Sequence, residues 1–132
     1  MKSSLIFNVA IGFLLPYIVL YGFYIQFNGE ASPGGGFQAG SILAVANIAY
    51  ELAYNKTLYR EESLIYIAAV GLLLYISVGI ITILKGGAYL SYSSLGENGQ
   101  QYGIAIVELG VGIVVFAVML FIYKVFFNSN KQ

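Results

Sequence analysis

Residues 103–127 read GIAIVELGVGIVVFAVMLFIYKVFF, an apolar run broken by two charges, Glu108 and Lys124. As a helix rising 1.5 Å per residue it is about 37 Å long, enough to cross the roughly 30 Å hydrocarbon core of a bilayer. Three further runs, 4–27, 37–54 and 63–84, have the same character. Together they predict an all-α membrane protein with four transmembrane helices, forming one integral membrane domain over 1–132. Composition agrees, since only 9% of the 132 residues are charged and 59% are hydrophobic, against about 25% charged in an ordinary soluble domain. Soluble helices apolar all round would need a polar shell, and the residues outside these runs are too few to build one. The first run is expected to stay as a span, because it is long for a leader and no clear small-residue cleavage site follows it.

Charge placement sets the expected orientation. All charges except Glu51, Glu108 and Lys124 lie between or beyond the apolar runs. Lys2, Lys56, Arg60, Lys124 and Lys131 fall on one side and Lys85 on the other, so the positive-inside rule predicts both termini in the cytoplasm. Lys124 is expected to snorkel to the interface. Tyr21, Tyr24, Phe27, Tyr89, Tyr92 and Tyr102 then lie near the outer interface, where amphipathic rings are favoured.

The same inventory excludes several functions. Six basic residues balance six acidic ones, so there is no positive field to hold nucleic acid. Cysteine and histidine are absent, which removes disulfides, thiol nucleophiles, cysteine or histidine ligation of haem and Fe-S clusters, zinc sites and imidazole catalysis. No cofactor or metal is expected, and no nucleophile and base pair suggests an enzyme.

Helices associate in lipid through small residues and a few hydrogen bonds, and each run carries such a stripe. On the first it is Asn8, Gly12, Pro16, Val19 and Gly22, with a kink expected at Pro16. On the third it is Ala68, Gly71, Tyr75, Gly79 and Thr82. On the second, Gly40, Ala44, Asn47, Glu51 and Tyr54 fall within about 80° at 100° per residue. Glu51 stands near the inner end, where it reaches water, pairs with Lys56, or joins Asn47 in an ion or proton path.

In the fourth run Glu108 lies about 7.5 Å inside the outer end. A carboxylate facing lipid is costly, so it is expected to face protein or water, either as a structural hydrogen-bonding group or in ion or proton handling. Gly112 shares its face and Gly110 lies on the opposite one. Two packing faces imply neighbours on both sides; other helices of the same chain could supply them, but with so apolar and glycine-rich a periphery further membrane subunits are the expected ones.

The turn Ser32-Pro33-Gly34-Gly35-Gly36 lacks the Lys-Ser or Lys-Thr of a phosphate-binding loop and follows no strand, which argues against nucleotide binding. Consecutive glycines permit positive φ and close backbone approach before the second helix.

Two segments carry a family resemblance: Pro33-Gly34-Gly35-Gly36-Phe37-Gln38-Ala39-Gly40, opening the second helix, and Val107-Glu108-Leu109-Gly110-Val111-Gly112 in the fourth. In order and spacing they resemble the MnhB family, the B-type subunits of the multisubunit Mrp/Mnh cation/proton antiporters. The resemblance implies an accessory, multi-pass subunit in the plasma membrane of a prokaryote. Its partners would be other Mrp/Mnh membrane subunits within the lipid bilayer, in a complex exchanging Na+ for H+ in support of sodium export and pH homeostasis. It marks Pro33, Gly34, Gly35, Gly36, Gly40, Gly110 and Gly112 as motif positions for the loop and for helix packing, while Glu108, Glu51 and Asn47 are the candidate ion or proton path. Relatives in energy-converting hydrogenases leave a second reading, a structural membrane-arm subunit of such a complex.

Overall fold

The computed structural model describes residues 4–29, 34–96 and 98–129. Four helices form: α1 (Leu5–Asn28), α2 (Gly36–Tyr54), α3 (Glu61–Leu84) and α4 (Gly99–Ser129). A short 3-10 turn, Tyr92–Leu95, lies in the α3–α4 connection. No strand occurs among the described residues. α4 begins at Gly99 rather than Gly103 and so reaches further into the α3–α4 connection than its apolar run.

Local chemistry explains the helix ends. The Ser4 hydroxyl accepts from the Phe7 N–H at 3.2 Å, capping α1 and satisfying a donor with no partner inside the helix. α2 stops at Asn55, whose φ of 52° is the left-handed conformation that asparagine tolerates best after glycine. α3 opens with Glu61 and Glu62 at its positive end. It closes on Gly86 at φ 82°, with the Gly87 N–H donating to the Thr82 carbonyl and the Gly86 N–H to the Ile83 carbonyl. That pair of bonds is a Schellman ending.

α1, α3 and α4 are long and apolar enough to cross a membrane. α2 is a 19-residue helix diluted by Gln38, Ser41, Asn47 and Glu51, and it is not among them.

The helices follow one another in space in the order α1, α2, α4, α3. α4 packs against both α2 and α3, α2 packs against α1, and α1 meets α4 only lightly. Gly22 of α1 lies against Leu43 of α2 and Gly12 against Tyr54, so these helices are antiparallel. Gly36 and Gly40 of α2 meet Glu108 and Gly112 of α4 in the same chain direction, a parallel pair. Gly71 in the middle of α3 meets Gly110 of α4, while Glu61 at the start of α3 meets Asn128 near the end of α4, which is antiparallel. Ala44, Leu64 and Leu120 form the buried core, with Ile48, Tyr59, Ile67, Phe116 and Phe121 packed around it.

One expectation is corrected by this arrangement. The Gly110 and Gly112 faces of α4 are filled by α3 and α2 of the same chain, not by further subunits. Placing α4 in the middle buries both of its small-residue faces at once, and α1 is left as the most exposed helix.

The candidate functional site: two charge centres at the ends of the α2–α4 seam

The end of the seam at the start of α2 is built from glycines. A Cβ on Gly36 would collide with the Glu108 carbonyl oxygen, and one on Gly40 with the Gly112 carbonyl oxygen. Only glycine at these positions lets the two backbones touch. On the other side of α4, Gly110 and Gly71 are reciprocal: a Cβ on either would stand 2.8–2.9 Å from the other's carbonyl oxygen. Gly110 and Gly112, two residues apart, therefore serve different neighbours.

The Glu108 side chain lies against Gly29 at the end of α1 and Gly35 just before α2. A Cβ on Gly29 would stand 2.6 Å from its Oε2, and one on Gly35 3.1 Å from its Oε1. Gly35 has φ 95° and precedes the first turn of α2 without a side-chain cap. The carboxylate thus lies at the positive end of α2, where unpaired backbone N–H groups favour negative charge. Gln26 of α1 belongs to the same cluster, its Oε1 being 2.8 Å from where a Cβ on Gly112 would stand. Gln26, Phe27, Tyr102 and Glu108 line a cavity of about 220 Å³ between α1 and the start of α4. Gly34 precedes Gly35 at the start of α2, and Pro33 lies outside the described residues.

The end of the seam at the close of α2 holds an ion pair. Lys124 Nζ lies 3.1 Å from Glu51 Oε1, with side chains 8% and 5% exposed. Lys124 also donates to the Tyr59 carbonyl, and Glu51 Oε1 accepts from the Leu58 N–H at 3.0 Å. The pair therefore ties α2, α4 and the 55–60 connection together. Two expectations change here. Lys124 is buried and does not snorkel, and the partner of Glu51 is Lys124 and not Lys56. Burial is tolerated because each charge meets an opposite charge and a backbone hydrogen-bonding group. A cavity of about 490 Å³ opens beside the pair, its rim carrying Lys56, Arg60, Glu61 and Glu62.

Asn47 stands one turn from Glu51 on α2, yet no hydrogen bond joins them among the described residues, and its buried Oδ1 has no partner there. Asn8 of α1 is in the same position through its own Oδ1. Between the two charge centres the seam is closed by Gly40, Gly112, Ala44, Ala117 and Leu120, all buried. Along α4 the centres are 16 residues apart, about 24 Å.

Sequence reasoning missed Lys124 as a site residue. The available signal was its depth, since it and Glu51 are opposite charges set inside the C-terminal ends of two apolar runs. Tyr59, Leu58 and Gln26 carried no signal, because two act through backbone groups and the third is a polar residue near a helix end.

Residues 6–121 match the family described as "Domain related to MnhB subunit of Na+/H+ antiporter". The chain is also 29% identical to the B-type subunit of the Na+/H+ antiporter of Bacillus subtilis (strain 168) over 132 aligned residues, covering 92% of each protein. Matched over most of its length, this chain belongs to the MnhB family.

Proposed function

We propose that this chain is an accessory integral membrane subunit of a multisubunit monovalent cation/proton antiporter, contributing to Na+ export and pH homeostasis in a prokaryotic plasma membrane. In this reading all four helices cross the bilayer. α2, about 28 Å long at 1.5 Å per residue, is held at full depth between α1 and α4. The lysine and arginine distribution supports cytoplasmic termini, which makes the Glu51–Lys124 end the cytoplasmic one and the Glu108 end the outer one. The similarity to an antiporter subunit favours this assembly over a hydrogenase membrane arm.

The observation that carries the accessory role is the closed seam between the two charge centres. An exchanger driven by membrane potential, worth about 2.3 kcal/mol per charge per 100 mV, needs a continuous polar route. Here small apolar and glycine residues in direct contact separate Glu108 from Glu51. The chain supplies charged end-points, with Asn47 as an intermediate polar group, and neighbouring subunits complete the route.

The test compares cells that make the whole antiporter with cells lacking only this chain, and adds the purified chain in liposomes. Sodium-dependent proton movement should vanish from membrane vesicles of the deletion strain, and the chain alone should carry no Na+ flux. Unchanged antiport without it, or flux through it alone, would overturn the proposal.

A further inference from the structure

α1 commits one face to its own chain and turns the opposite one outward. Its buried residues are Gly22 and Ile25, with Gly22 lying against Leu43 of α2. At 100° per residue, Phe13, Tyr17, Tyr21 and Tyr24 fall within about 80° of one another, on the side away from Gly22. The three tyrosines are 59%, 57% and 59% exposed. Their hydroxyls have no hydrogen-bond partner among the described residues.

Depth turns this stripe into evidence about what covers it. Tyr21 and Tyr24 stand near the outer end, within reach of the interface, but Tyr17 is at the middle of α1. From there either edge of the hydrocarbon is about 15 Å away, beyond the length of a phenol. Lipid tails offer no acceptor, and a hydroxyl left without one in hydrocarbon is costly. Pro16 adds to the polarity at this depth, since it has no N–H to give the Gly12 carbonyl one turn back.

A second copy of this chain is a poor cover. Two such stripes in parallel would set phenol against phenol, and their bulky rings would hold the helices apart where small residues are needed for close approach. The complementary surface is a groove of small residues with oxygen acceptors at mid-membrane depth.

We propose that the Phe13, Tyr17, Tyr21 and Tyr24 face of α1 is a docking surface for a transmembrane helix of a different subunit, one presenting carbonyl, amide or hydroxyl acceptors opposite Tyr17. This inference rests on the reading of the chain as one member of a multisubunit complex.

The experiment replaces Tyr17 with photoreactive benzoylphenylalanine (Tyr17→benzoylphenylalanine) in cells producing the whole complex, followed by irradiation and mass spectrometry of the adducts. The expected product joins this chain to another membrane subunit encoded with it. In parallel, Tyr17→Phe keeps the ring and removes the donor, and should lower retention of partner subunits in detergent about threefold, the scale of one interhelical hydrogen bond in a membrane. Tyr66→Phe, exposed on α3, should leave retention unchanged. Adducts with lipid alone or with a second copy of this chain would overturn the docking surface, as would full retention by Tyr17→Phe, while the antiporter reading stands. If no other subunit co-purifies with the unaltered chain, that reading falls and the docking surface falls with it.

Discussion

Lys124 Nζ sits 3.1 Å from Glu51 Oε1, joining the C-terminal ends of two parallel helices by a largely buried ion pair. Removing one partner leaves the other charge buried and uncompensated, at a cost of about 3 to 5 kcal/mol. Lys124→Met and Glu51→Gln should each sharply lower thermal stability in detergent, whereas the double variant should recover much of the loss. A double-mutant cycle on melting of the purified chain measures this. Additive losses would show that the pair contributes no coupling.

Glycine substitutions should separate backbone contact from simple conformational freedom. Gly40→Ala would push a methyl group into the Gly112 carbonyl, and because that obstacle is backbone, the helices must move apart. The expected cost is about 1 to 3 kcal/mol or more, seen as loss of folded protein in membranes. Gly86 has nothing within 4 Å of an added Cβ, so Gly86→Ala meets only the penalty of φ 82°, about 1 kcal/mol. Expression and melting of the two variants side by side should rank Gly40→Ala as the more damaging.

The difference between these glycines also marks how far the sequence is legible. Four helices follow from the apolar runs, because hydropathy is a local property of each segment. The opposite faces of Gly110 and Gly112 follow too, since a 200° separation on one helix is arithmetic. Which neighbour fills each face does not follow, because it depends on the spatial order α1, α2, α4, α3, and nothing in a single helix encodes that order. The Glu51–Lys124 pair was hidden for the same reason. Lys56 is near Glu51 along the chain, while the parallel packing of α2 on α4 brings in a lysine 73 residues away. Apolar exposure was equally uninformative, because a helix facing lipid and one facing another subunit have similar compositions.

Glu108 occupies a different setting, beside the N-terminal end of α2 and the glycines at 29 and 35. Replacing it by glutamine preserves shape while removing charge from the positive end of that helix, a loss of about 0.3 to 2 kcal/mol. Glu108→Gln should therefore still assemble with its partners, yet reduce sodium-dependent antiport if the carboxylate contributes an end-point of the route. Complex yield and antiport in membrane vesicles, measured on the same preparations, distinguish the two effects. Normal antiport together with normal yield would confine Glu108 to local structure.

The α3–α4 connection carries a pH response of predictable sign. Burial raises the Tyr92 phenol above its ordinary value, and the negative charges of Tyr75, Glu108 and Tyr89 push in the same direction. Tyr92 lies in the 3-10 turn and packs over Gly103 at the start of α4. A phenol whose proton is held more tightly in the folded state gives stability that is complete below its unfolded pKa of about 10, and that stability is lost as pH rises through the folded value. The turn should therefore loosen from α4 at strongly alkaline pH. Hydrogen exchange of residues 85–103 should accelerate above about pH 10 beyond the intrinsic base-catalysed rate. Tyr92→Phe should remove this excess, because its ring fills the same space over Gly103 and carries no proton to lose. An identical alkaline acceleration in Tyr92→Phe would assign the response to another group.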